Sequence, residues 1–254
     1  EQLTASAPDG TVVPAAAESW SVDPDGRRYT FLLRPEARWS NGEPVLARHF
    51  VAGLHRAVDP ATGSVAADLL RGIENAPAIL RGELPPARLG VRAAADHRLE
   101  ITLARPLPYF PDILTNPVAS PVHEASRPGG AITNGPWVLA EIVPGSHLRL
   151  ARNPSYRDAA AVAFDEVRYE FVANENAEFD RFRAGELDVT YNVPEQRFQD
   201  LAADPASGLQ HRALLTTSYF TLNTDSGALH DHPGLREALS LTVDREAITQ
   251  HVAR

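Results

Sequence analysis

The chain has 254 residues, is 43% hydrophobic and carries a formal net charge of −9, which is enough for a sizeable core and one or two domains. The charges are spread out with no basic block, which argues against a nucleic-acid or polyanion partner, and no apolar run approaches the ~18 residues of a membrane-spanning helix. Cys, Met and Lys are all absent, so the 24 basic residues are all Arg; that excludes thiol and Schiff-base nucleophiles, a Walker-type phosphate lysine, disulfides and thiolate metal sites.

In chain order, the first strong signal is Glu18 to Phe50. Asp25-Gly26 marks a turn, and Tyr29, Phe31 and Leu33 then alternate with Arg28, Thr30 and Leu32, which predicts a strand with one aromatic face buried. Asn41-Gly42 is a second turn. Pro44 suits the first position of a helix, and Phe50, Val51, Leu54, Ala57 and Val58 recur at helical spacing until Asp59-Pro60 stops the run. Residues 61–82 read as helical, with Leu69, Leu70, Ile73, Ile79 and Leu80 as core positions. Residues 89–104 read as a hairpin turning near Asp96-His97, and Tyr109 to Leu114 as a short helix.

Residues 120–136 are rich in Pro, Gly, Ser and Thr and form the expected boundary between subdomains. Trp137 to Glu141 and Leu148 to Ala151 flank Pro144-Gly145 as a second hairpin, Asn153-Pro154 is a turn, and Val167, Tyr169 and Phe171 alternate as a strand. Residues 175–184 suit a helix closed by Gly185. Leu187, Val189 and Tyr191 read as a strand, 195–203 as a short helix, and Tyr219, Thr221 and Asn223 as one face of a further strand. Leu235 to Leu241 and Arg245 to Val252 read as helices, the second capped by Asp244. The order is mixed α+β without strict βαβ alternation.

No catalytic constellation emerges. His230-Asp231-His232 could clamp a metal, but adjacent histidines lack helical i,i+4 geometry and a third ligand, so a solvated loop is the expectation. His123-Glu124 lacks the second histidine of a zinc-protease motif, and Ser64 and Ser218 lie in no nucleophile elbow. Asp165-Glu166 and Glu175/Glu178 read as solvated acidic pairs. Trp20, Trp39 and Trp137 read as core aromatics.

The wording of several segments carries more than their periodicity. AESW followed by DG, YTFLLRPEARWSNGEPVLARHF, then LGVRAAADHRLEITLARPLPYF (Leu89 to Phe110), NGPWVL (Asn134 to Leu139), LARNPSYRDA (Leu150 to Ala159), RFRAGELDVTYNVP (Arg181 to Pro194), SYFTLNT (Ser218 to Thr224) and LREALSLTVDREAI (Leu235 to Ile248) occur in one order. Together they resemble the bacterial extracellular solute-binding proteins of family 5, in particular the oligopeptide-binding (OppA- and MppA-like) components of peptide ABC transporters. The resemblance implies a class II periplasmic-binding-protein-like fold of two lobes, of which this chain would be roughly half. It assigns residues 1–125 to an extra subdomain of the first lobe, 126–222 to part of the first ligand-binding lobe, and 223–254 to the crossover into the second. The start at Glu1 without Met reads as a mature piece or an excised segment.

By the same resemblance the protein is a non-enzymatic importer component. It captures an oligopeptide by lobe closure, with main-chain hydrogen bonds reading the ligand and hydrated pockets accepting its side chains, and delivers it to membrane permease subunits from a periplasmic or otherwise extracytoplasmic position. No cofactor is implied. The residues that match ligand-side positions are Tyr219 and Asn192, with Thr216 and Thr217 on the same approach. Ala66 stands where the family carries a ligand-facing tyrosine, and Thr221 where it carries an acidic residue. Rival readings are the same fold holding a nickel chelate, an opine, a sugar or a murein peptide, and, more remotely, a peptidase.

Overall fold

Strand pairing organises the first part of the molecule, as a computed structural model describes it for residues 1–126, 132–211, 217, 219–225 and 227–251. Strands β1 (Thr4–Ser6) and β2 (Val12–Pro14) form a short hairpin. Strands β3 (Ala17–Val22), β4 (Arg28–Leu33), β5 (Val91–Ala95) and β6 (Arg98–Thr102) form an antiparallel sheet in the order β3-β4-β6-β5. The aromatic alternation on β4 behaves as predicted: Tyr29, Phe31 and Leu33 are buried, and Tyr29 and Phe31 stand opposite Ile101 and Leu99 on the same face of β6. Helix α1 (Ala47–Val58) lays Phe50, Leu54 and Val58, one turn apart, into the same core. Each fully buried side chain of this kind is worth ~1.5–3 kcal/mol in apolar burial. The Tyr29 hydroxyl donates to the carbonyl of Leu107 at 3.0 Å, and burial raises the pKa of this tyrosine.

The helix expected over 61–82 is instead a series of short pieces. One 3-10 turn covers Pro60–Thr62, a second covers Ala67–Gly72, and helix α2 is only Ala76–Leu80. Gly63 and Asn75 both adopt positive φ, at 63° and 66°: Gly63 ends the first 3-10 turn, and Asn75 precedes α2 as its N-cap. Leu70, Ile73 and Ile79 are buried as expected, whereas Leu69 is exposed. The helix start also differs: Pro44 lies before the helix, in an isolated bridge with Arg38, and Leu46 is the N-cap. Helix α3 (Phe110–Ile113) closes this region.

A second antiparallel sheet has the order β7 (Trp137–Val143), β8 (His147–Arg152) and β9 (Glu166–Glu170). A bulge between Leu139 and Glu141 puts Leu139 and Ile142 on one face. Two apolar rows result, Leu139/Leu150/Val167 and Ile142/Leu148/Tyr169. The opposite face carries a ladder in which Arg149 donates to Glu141 and Glu166, each at 3.1 Å. The Asn153-Pro154 turn that follows β8 is internally satisfied: fully buried Asn153 donates to the Gly135 carbonyl at 2.8 Å and accepts from the Ser155 N–H at 3.0 Å. Beside it, Arg157 and Tyr156 both hold the Glu1 carboxylate, and burial, with the Glu1 charge next, pushes the Tyr156 phenol up to about 12.

Contacts divide the chain into two units, Glu1–Phe171 and Val172–Arg254. The second contains α4 (Glu175–Arg183), α5 (Glu195–Ala203), α6 (Ala228–Asp231), α7 (Pro233–Thr242) and α8 (Arg245–His251). Asn174 caps α4 by accepting from Ala177 N–H at 2.9 Å, and Asp244 caps α8 by accepting from Ala247 N–H at 2.9 Å. Neither strand expected in this unit forms among its described residues. A strand needs a neighbour for its N–H and C=O groups, and none is present there. Val189, Tyr191 and Tyr219 are accordingly 75%, 91% and 80% exposed. Phe179 and Pro194 are the buried residues of this unit among those described.

Candidate ligand-binding site

The loop after α4 is held by one carboxylate. Glu178 Oε1 accepts from the Tyr191 N–H and from the Thr190 hydroxyl, each at 2.7 Å. Those bonds, the Tyr191 N–H foremost, hold the Glu178 carboxyl below the usual carboxylate range. The Thr190 oxygen also lies 3.0 Å from the Asn192 carbonyl, so its single proton has two acceptors in reach. Residues 190–192 are thereby pinned to α4, and the Asn192 side chain points to solvent. The sequence presents Glu178 only as half of a solvated acidic pair. Its partners lie 12 and 13 residues away in a loop, and no periodic pattern reports such a link.

Of the other predicted site residues, Tyr219 and Thr217 are exposed on backbone without regular structure, and Phe220 next to them is 85% exposed. Thr216 lies outside the described residues, as does Ser218. No hydrogen bond joins Asn192 to Thr217 or Tyr219 among the described residues. The arrangement is a set of exposed amide, hydroxyl and aromatic groups. Such groups can hydrogen-bond a peptide backbone and cover its side chains, but they contain no nucleophile–base pair.

Elsewhere, an open groove of about 300 Å³ is lined by Asp59, Ser64, Val65, Asp68, Arg71 and Arg81 among others. Its guanidinium groups are already engaged, Arg71 with Asp68 at 2.7 Å and Arg81 with both oxygens of Glu83. Val65 is fully exposed there, beside Ala66. His230 and Asp231 form an exposed pair at 2.9 Å, with His232 preceding α7. No cluster of three potential metal ligands exists among the described residues.

Comparison with known proteins gives a consistent result. The family model for bacterial extracellular solute-binding proteins, family 5 Middle, matches residues 11–254. The periplasmic oligopeptide-binding protein OppA of Escherichia coli K12 is 37% identical over 99% of this chain and 48% of its own length. Among solved structures, Burkholderia pseudomallei OppA aligns with a TM-score of 0.90 at 32% identity, over 99% of this chain and 51% of that one. Haemophilus influenzae OppA in complex with RPPGFSPFR aligns with a TM-score of 0.85 at 32% identity, over the same shares. The chain thus spans about half the length of the curated relatives it matches, and its fold is that half of a periplasmic-binding-protein-like structure.

Proposed function

Because the chain belongs to the bacterial extracellular solute-binding proteins of family 5, we propose that it is part of the substrate-capturing component of an ABC importer. That component encloses an oligopeptide between two lobes and hands it to membrane permease subunits. The observation that carries this reading is the end-to-end alignment of the chain with a relative solved in complex with a nonapeptide. The names of its relatives place them in the periplasm, and an extracytoplasmic position follows for this protein as part of the same reading. We assign no catalytic role. Residues 1–125 serve as an extra subdomain of the first lobe, 126–222 as part of the ligand-binding face, and 223–254 as the crossover.

Within this reading Tyr219, Asn192, Thr216 and Thr217 face the ligand. An exposed tyrosine has no packing to lose, so a defect on truncating it would report ligand contact. Isothermal titration calorimetry on the protein that carries this chain at the length of its relatives, with RPPGFSPFR and a pool of di- to pentapeptides, is expected to show saturable binding. Tyr219→Ala should weaken it about tenfold, equivalent to ~1.4 kcal/mol, and Asn192→Ala less than that. A protein that ignores every peptide and retains a sugar, bile acid or metal chelate through purification would overturn the peptide assignment. Unchanged affinity in Tyr219→Ala would overturn the site alone.

A further inference from the structure

Two stretches far apart in sequence, 39–49 and 121–126, meet around Trp39. His49, in the first turn of α1, accepts two hydrogen bonds at Nδ1, from the Leu46 N–H at 3.0 Å and the Trp39 indole N–H at 3.1 Å. His123 accepts the Ala125 N–H at Nδ1 at 3.1 Å, and its Nε2 lies 2.8 Å from Glu43 Oε2. The two imidazoles are 5.6 Å apart, and both meet the Trp39 indole edge-on, at 5.3 and 5.2 Å. His49 is 2% exposed and His123 5%. A ring nitrogen that accepts a hydrogen bond carries no proton, so the accepting Nδ1 of each ring leaves a proton on Nε2, which in His123 faces Glu43.

We propose that this cluster is an acid-sensitive latch, which fastens residues 121–126 to α1 and to the 39–43 turn at neutral pH and releases them on acidification while the β3-β4-β6-β5 sheet stays folded. A proton added at His49 Nδ1 turns an acceptor into a donor that faces two existing donors, the Leu46 N–H and the Trp39 indole N–H. The charged groups around the pair are Arg48, which with His123 opposes a His49 cation, and Glu124 and Glu43, which favour it less strongly. Arg48 and Glu124 are themselves paired at 3.3 Å. Burial first, then Arg48, holds the His49 imidazole at about 4, below its ordinary 6.5. A group whose folded value is depressed in this way contributes fully above about 6.5 and progressively less as the pH falls towards 4.

The 121–126 segment is the part free to give way. Trp39 and the apolar face of α1 lie inside the core, whereas no side chain of 121–126 belongs to the apolar core cluster. Its links to the rest of the unit are the Val122 N–H on the His49 carbonyl at 3.0 Å, the His123–Glu43 bond, a 3.5 Å approach of the Asn41 amide to His123 Nε2 and the exposed Arg48–Glu124 pair, while the Ala125 and Ser126 N–H groups fold the segment back onto its own His123.

Hydrogen exchange read by mass spectrometry on the whole chain at pH 7.5 and 4.5, corrected for intrinsic rates, tests the latch. The amides of Val122 and Ala125 should exchange at least tenfold faster at pH 4.5, with those of β4 and β6 still protected. A His49→Gln/His123→Gln variant, whose amides accept hydrogen bonds but take no proton, should show no such step. Protection retained at pH 4.5, opening only together with β4 and β6, or the same step in the double variant would each overturn the proposal. Should that variant not fold, NMR titration of the His49 ring in the unaltered chain decides instead. Its midpoint should coincide with the opening of 121–126, and separate midpoints would rule the latch out.

Discussion

Gly53→Ala is expected to destabilise the Glu1–Phe171 unit by about 2 kcal/mol or more, even though alanine is the better helix former by ~1 kcal/mol. A Cβ built on Gly53 lies 2.1 Å from the Ser120 carbonyl oxygen and 3.3 Å from the Pro121 Cα. These are backbone atoms and cannot rotate aside, so α1 must move away from the 120–121 segment or that segment must move away from α1. Gly72→Ala is the control. Its Cβ would lie 2.3 Å from Leu107 Cδ1, the end of a flexible side chain that can change rotamer, so a loss below ~1 kcal/mol is expected. Urea unfolding followed by tryptophan fluorescence would rank the two variants. Gly53→Ala unfolding at or above the midpoint of the parent would refute the close approach.

How much of this was legible follows from how local each signal is. The β4 alternation, the α1 stripe of Phe50, Leu54 and Val58, and the hairpins at Asp96-His97 and Pro144-Gly145 are set by neighbouring residues, and the structure realises them. Strand β3, AESWSV, escaped because four of its six residues are exposed at a sheet edge and show no apolar alternation. Strands β1 and β2 are three residues each, too short for a period to register. The strands expected at Leu187–Tyr191 and Tyr219–Asn223 show the reverse error. Their alternation is genuine, but a strand is a property of a pair, and Val172–Arg254 offers no partner strand among its described residues. The same limit applies to the site. Asn192 and Tyr219 were named by the family match and not by periodicity, and the grip of Glu178 on Thr190 and Tyr191 is a tertiary fact. The family, by contrast, was legible because it rests on the order of many short motifs, which survives even where single elements are misread.

Replacing His49 by Leu should destabilise the chain at neutral pH by about 2–3 kcal/mol, although it makes a buried site more apolar. The leucine gains a little burial, but it removes the one acceptor shared by the Trp39 indole N–H and the Leu46 N–H. Each buried donor left without a partner costs ~1–3 kcal/mol, more than the apolar gain of one side chain can offset when there are two of them. A cycle with Trp39→Phe separates the causes. Phenylalanine carries no N–H, so one of the orphaned donors disappears, and His49→Leu should cost about 1–2 kcal/mol less in that background. Equal costs in both backgrounds would mean that the histidine acts by shape and not as an acceptor. The pH dependence gives an independent reading of the same group. His49 is held near 4 in the folded chain against an ordinary 6.5, so the unfolded chain binds its proton first as the pH falls. The parent should therefore lose part of its advantage over His49→Leu between about pH 6.5 and 4, and the two denaturation curves should draw together in acid. A constant gap across that range would show that His49 does not titrate between the folded and unfolded states, and would separate the packing role of this residue from its protonation.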